Sequence, residues 1–168
     1  MIAQILVMTV FPGVMALAAL TDLLFMRVPN GLVFALAAGF FIVAPLAGLG
    51  LEDIGIHMAI ALAALALCLA LFALDWVGGG DVKLFAASCL WFGPEAIVVY
   101  GLLSAAIGMC LTVLLLLWRG FPLPGMLSSQ GWLVRLHNTN EGAPYGIALA
   151  MAGLLVYPST AYIAAFGN

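Results

Sequence analysis

Residues 54–74 read IGIHMAIALAALALCLALFAL, and residues 75–83 continue DWVGGGDVK. The first stretch contains no Lys, Arg, Asp or Glu. A membrane-crossing helix needs about 20 apolar residues in a row, and this run supplies them. It stops at Asp75, and Gly78 to Gly80 follow. Three glycines do not favour a helix; they give a bare, pliable backbone that another chain can approach closely. The stretch therefore predicts a lipid-embedded helix, then a glycine turn, then an acid and a base at the head of the next apolar run.

The same pattern extends outward in both directions. Residues 2–20, 31–50, 82–92, 96–118 and 144–165 form further apolar runs. The run at 82–92 is short; it reads either as a partial span or as one that merges with the next, although Gly93-Pro94 argues for a break. Of the 168 residues, 67% are hydrophobic and 7% charged, against about 25% charged in a soluble domain. Too few polar residues remain to cover a water-facing surface. The expected fold is an all-α, polytopic membrane bundle of about six transmembrane helices. No internal repeat or low-complexity linker divides it, so residues 1–168 read as one domain. The first 20 residues lack the basic start of a secretory signal peptide, which predicts a retained first span. Cys68, Cys89 and Cys110 lie in separate apolar runs and form no C-x-x-C pair; they read as small apolar residues, with no zinc site expected. The net charge is −3 and there is no basic patch, which excludes nucleic acid as a partner.

The few charges orient the bundle. Threading six spans places the 21–30, 75–81 and 119–143 connections on one side. Arg27, Arg119 and Arg135 fall in them, and Lys83 lies two residues past one. Glu52, Asp53 and Glu95 fall on the other side. Basic residues favour the cytoplasm, so both termini are expected outside it. Within the long connection, Met126 to His137 carries Leu127, Trp132, Leu133, Val134 and Leu136. It reads either as a short amphipathic helix in the interface or as an ordered loop with a Trp at headgroup level.

Ionisable residues at membrane depth are costly and usually functional. Asp22 is followed by four more apolar residues before Arg27. A helix continuing to Arg27 would hold it roughly 7 Å inside its end, where the macrodipole disfavours a carboxylate. Asp81 opens the next apolar run after the glycines; there it reads equally as an ordinary N-cap or as a reactive acid. The two lie 59 residues apart and reach the same membrane face in this threading. Two carboxyls brought together share a proton: one takes a proton from water while the other donates to a carbonyl. That pair hydrolyses peptides without a metal or cofactor, and none is expected. His57 lies on the opposite side, His137 has no metal-ligand spacing around it, and Ser128 and Ser129 have no positioned base.

Asp22 with Pro29-Asn30, the run Gly78-Gly79-Gly80-Asp81-Val82-Lys83, and Pro144-Tyr145-Gly146 resemble the marks of bacterial type IV prepilin peptidases. These are members of the wider GxGD group of membrane aspartic proteases. The resemblance covers nearly the whole chain in order and length. It implies catalytic aspartates at Asp22 and Asp81, and supporting or substrate-binding roles for Pro29, Asn30, Gly78, Gly79, Gly80, Lys83, Pro144, Tyr145 and Gly146. Asp75 stands six positions before Asp81, where larger members carry an acid; a span-ending Asp is the equal alternative. The implied substrate is a prepilin with an apolar N-terminal helix, cut at the cytoplasmic face of the bacterial inner membrane. The larger members have a cytoplasmic segment with paired C-x-x-C motifs, linked to N-methylation of the mature pilin. This chain has no such segment. It is similar to the short branch that serves Flp pili in tight-adherence (Tad) secretion, and no methyltransferase activity is expected.

Asp81 heads a helix, with Lys83 beside it, and Asp22 ends one. The expected division makes Asp81 the carboxylate and Asp22 the proton carrier. Two other classes of function stay open at this stage. Intramembrane acids also serve ion and solute pathways, and glycine-broken helices line transporter sites. A non-enzymatic subunit of a pilus or secretion machine would share the small, apolar build.

Overall fold

In lipid every backbone N–H and C=O must find its partner within the protein, which leaves the apolar runs only the helix or the closed barrel. The computed structural model describes residues 2–160 and residue 163. Its helices are α1 (Ile2–Phe25), α2 (Asn30–Leu46), α3 (Leu51–Ala73), α4 (Gly79–Arg119), α5 (Gly131–His137) and α6 (Tyr145–Val156), with a 3-10 turn at Tyr157–Ser159. No strand occurs among the described residues. The protein is an all-α bundle. α1, α3 and α4 are long and apolar enough to cross a membrane by length and composition; α2 and α6 are apolar and shorter.

The boundaries differ from the sequence expectation for local reasons. α1 continues past residue 20 to Phe25 and stops short of Arg27, because Met26 turns to a left-handed φ of 52°. α2 stops at Leu46 rather than residue 50: Ala47 to Gly50 form a turn, with Gly48 at φ 88°. α3 then starts three residues early, at Leu51, where the Gly50 N–H donates to Asp53 Oδ2 at 3.2 Å. In the long connection only residues 131–137 are helical, not 126–137. The predicted span at 144–165 is helical to Val156 and tightens to a 3-10 turn at 157–159; its remaining positions 161, 162, 164 and 165 lie outside the described residues.

The predicted fourth and fifth spans are the two limbs of α4. Gly93 interrupts the helix at φ 57°, ψ −167°, a conformation open in practice to glycine alone. The limbs fold back on each other there, since Phe85 stacks on Tyr100 at 5.3 Å and Phe92 on Tyr100 at 4.3 Å. Pro94 has no N–H to give to the carbonyl of Leu90, four residues earlier. His57 of α3 supplies the missing donor: its Nδ1 lies 2.7 Å from Leu90 O, and because a carbonyl only accepts, Nδ1 carries the hydrogen. His57 is thus a structural residue, pinning α3 to the hairpin's bend.

The first limb, residues 79–92, rises about 21 Å, short of the ~30 Å hydrocarbon core. It tolerates this because it is the centre of the bundle. Nearly every residue from Val82 to Phe92 is buried. α2, α3 and α6 pack on α4, and α1 closes the bundle against α2 and α6. Lipid tails are as apolar as leucine, so dispersion and hydrogen bonds, not water exclusion, hold such helices together. Phe11 stacks on Tyr157 at 4.5 Å and packs against Trp91 at 5.3 Å. Trp91 Nε1 donates to Leu36 O at 3.0 Å, and Tyr157 Oη to Val7 O at 2.7 Å. Of the cysteines, Cys89 is buried and Cys68 half-buried, but Cys110 faces outward from the second limb; all three are free.

Candidate active site

Asp22 lies in the last turn of α1, about 4.5 Å from its end at Phe25. Its backbone carbonyl accepts from Met26 N–H at 2.8 Å. The side chain points into the bundle and is 5% exposed. There Gly146 N–H donates to Asp22 Oδ2 at 2.7 Å. Gly146 is the second residue of α6, so its N–H is one of those a helix leaves without an internal partner. Pro144, fully buried, forms the N-cap and sets the entry of the chain into α6. The glycine is needed for the approach: a Cβ at position 146 would stand 2.8 Å from Asp22 Oδ2. Tyr145 turns the other way and packs over Gly108 on the second limb of α4.

Asp81 is the third residue of α4, and Gly78 is the N-cap. No side-chain cap bond forms there, so Asp81 is not an ordinary capping residue. Its carboxyl lies back over Gly78, where a Cβ would meet Oδ2 at 2.9 Å. The three glycines are therefore unequal. Gly78 makes room for the Asp81 carboxyl, a Cβ on Gly79 would stand 3.2 Å from the ring of Phe72, and a Cβ on Gly80 would meet nothing nearer than Val28 at 3.7 Å.

Both aspartates line one cavity of about 660 Å³, together with Met26 to Asn30, Gly78 to Gly80, Lys83 and residues 141–143. The three connections threaded to one side thus meet at one end of the bundle. Both acids therefore border the same space. Pro29 is the N-cap of α2. Lys83, expected beside Asp81, turns elsewhere: its Nζ donates to Asn30 Oδ1 at 2.9 Å, joining the start of α4 to the start of α2. Nor is Asp22 distinguished from Asp81 by helix polarity alone. Through Gly146 it too faces the amino end of a helix, so the two are better treated as one titrating unit.

Asp75 is the predicted site residue that the structure leaves apart. It is exposed, outside the cavity, and left-handed at φ 57°. Its N–H donates to Phe72 O at 3.0 Å and that of Trp76 to Leu71 O at 3.1 Å, which is the Schellman closure of α3. Asp tolerates that conformation better than most residues.

Two contributors escaped the sequence reading. Arg119, ending α4, donates through Nε to Leu136 O at 2.8 Å, through Nη1 to Glu141 O at 3.0 Å and through Nη2 to Gly142 O at 2.9 Å. It clamps the loop that leads into Pro144 and Gly146. Arg135 of α5 donates to Leu24 O, next to the Asp22 turn. In the sequence both carry only an orientation signal. Among the described residues, no three His, Cys, Asp or Glu side chains gather as a metal-ligand set.

Comparison with known families gives a match over residues 9–113 to the type IV leader peptidase family. The chain belongs to that family. Neither the curated proteins nor the solved structures gave a match. The peptidase is therefore a hydrolase of the membrane. The matched stretch contains Asp22, the glycine run and Asp81. Pro144-Tyr145-Gly146 lies beyond it, and the Gly146 to Asp22 hydrogen bond ties that later segment to the matched part of the peptidase.

Proposed function

We propose that the protein is an aspartic endopeptidase that removes the leader from Flp-type prepilins at the cytoplasmic face of the bacterial inner membrane, with Asp22 and Asp81 as the catalytic pair. The observation that carries this is the shared cavity: two acids 59 residues apart in sequence, one of them buried, line the same polar hollow beside the glycine-rich start of α4. Burial of an acid is expensive unless it has a task or a partner, and Gly146 occupies only Oδ2 of Asp22.

In the proposed reaction the pair holds one proton and one water. The carboxylate takes a proton from the water as its oxygen attacks the scissile carbonyl carbon. The protonated carboxyl gives its proton to the carbonyl oxygen, forming a neutral tetrahedral diol. On collapse the C–N bond breaks, the leaving nitrogen takes a proton from one carboxyl, and the other recovers the proton of the diol hydroxyl. An N–H already fills Asp22 Oδ2, so Oδ1 is the oxygen of Asp22 that faces the water. Gly78 to Gly80 leave space for an extended substrate backbone to pass close to Asp81.

The test is cleavage of a Flp-type pilin precursor co-expressed with the protein, scored by mass. The unsubstituted protein should release the leader. Asp22→Asn and Asp81→Asn should each abolish release with membrane levels unchanged. Cleavage persisting in either variant removes that residue from the mechanism. Ion flux in protein-loaded liposomes without any precursor would point instead to a transport function.

A further inference from the structure

α2 and α3 are neighbours in sequence, joined only by the turn at residues 47–50, yet their backbones diverge; Phe40 of α2 stacks on His57 of α3 at 5.5 Å. The first limb of α4 packs against both and lies at the bottom of the gap between them. The gap is a trough of about 490 Å³. Its walls are Phe34 and Phe41 of α2 and Met58 and Leu62 of α3, and alanines such as Ala87 form its floor. The 47–50 turn joins the two walls at the end away from the aspartates. At the other end the trough reaches Asn30 and Lys83, and the same two residues line the acid cavity. Trough and cavity therefore adjoin at these two residues, whose hydrogen bond stands at the junction.

The dimensions say what fits. From Asn30 to Phe41 the trough follows about 16 Å of helix, or three turns, so its mean cross-section is on the order of 30 Å². That is too narrow for a whole helix, about 10 Å across, and suits one ridge of its side chains. The small floor residues let such a ridge sit deep, as small residues do at helix contacts in membranes. A second hollow, beside Asp81 and Tyr145, has only about 140 Å³ and follows little more than one turn of each limb of α4. It is a pit for a side chain rather than a track for a helix.

We propose that the trough between α2 and α3 is the docking track for the apolar helix of the substrate. It would hold that helix half in lipid and deliver the chain at its end past Asn30 and Lys83 to Asp22 and Asp81. This rests on the leader-peptidase reading above, and takes from it only that the substrate has an apolar helix next to the bond that is cut. The walls present no charge to that helix, and Lys83 stands where the chain leaves the trough for the polar cavity.

The experiment places the photoreactive residue benzoylphenylalanine at position 62 or 34, on the two walls, and at position 116 as a control. Leu62, Phe34 and Leu116 are 58%, 72% and 60% exposed, so each position accepts a larger side chain without disturbing the core. Each variant is illuminated with the Flp-type precursor in membranes, and leader release by the unsubstituted protein is measured in parallel. Adducts to the precursor's apolar helix at positions 62 and 34, several-fold above those at 116, are expected. If the precursor is cleaved but adducts at 62 and 34 do not exceed those at 116, the docking proposal falls and the trough is simply filled by lipid chains. If the precursor is not cleaved at all, the leader-peptidase reading falls and the docking proposal with it.

Discussion

Replacing Gly146 by Ala separates the fold from the site more cleanly than replacing either aspartate. Position 146 is helical with an ordinary backbone, and Ala is about 1 kcal/mol better than Gly inside a helix. On backbone grounds Gly146→Ala should not unfold the protein. The new Cβ, however, would stand 2.8 Å from Asp22 Oδ2 and 3.1 Å from its Cβ and Cγ. Restoring ordinary contact moves the carboxyl by about 0.6 Å in a close-packed interior. The same movement stretches a hydrogen bond of 2.7 Å toward the limit of its useful range. A hydrogen bond to a charged group is worth about 1.5–3 kcal/mol, and each ~1.4 kcal/mol lost from transition-state stabilisation is tenfold in rate. The expected loss in kcat is therefore on the order of ten- to a hundredfold, with thermal unfolding near that of the parent. The assay is the initial rate of precursor cleavage by purified protein in detergent, with circular-dichroism melting alongside. Gly13→Ala is the matched control: it is exposed on α1, outside the acid cavity, and a Cβ there meets nothing within 4 Å, so activity should stay within about twofold. A Gly146→Ala protein that melts and cleaves like the parent would refute the claim that this glycine positions Asp22.

Other expectations follow from the same geometry. His57→Ala leaves the Leu90 carbonyl without its donor at the hairpin bend, which should cost about 1–3 kcal/mol, seen as a lowered melting temperature with cleavage kinetics unchanged below it. Arg119→Met frees the carbonyls of Leu136, Glu141 and Gly142 and loosens the loop leading to Gly146; a fall in kcat larger than any fall in melting temperature is expected, partly restored by Arg119→Lys. Asp75→Asn keeps a residue that tolerates a left-handed φ at the end of α3, so cleavage should remain near the parent level, whereas Asp75→Val should destabilise without a separate effect on rate. Glu95→Gln, at the end of the bundle away from the acid cavity, should leave cleavage unchanged.

Much of the bundle was legible because lipid leaves the chain so few choices. Apolar runs of the right length become helices, and sparse charges collect at their ends. Even the break at Gly93-Pro94 was readable, since a proline without an N–H cannot continue the helix unaided. The helix ends were less so. Met26 and Asp75 close α1 and α3 in left-handed conformations that nothing in their identity requires. The two acids stood out as costly carboxylates beside apolar runs. Asp75 looked the same in sequence, and only its place outside the cavity set it apart.

The sequence by itself determined the class of fold, the end of the bundle where polar residues gather, and the two acids that line one cavity there. Those follow from composition and spacing, which act through one residue or one helix at a time. Tertiary structure decided what holds each acid. The partner of Asp22 is a backbone N–H, 124 residues away, and every residue but proline carries that group. Lys83 found Asn30 rather than Asp81, a choice made by the way α2 and α4 meet. Backbone donors carry no mark in the sequence, and the meeting of two helices depends on the packing of the whole bundle; both appear only when the chain is folded.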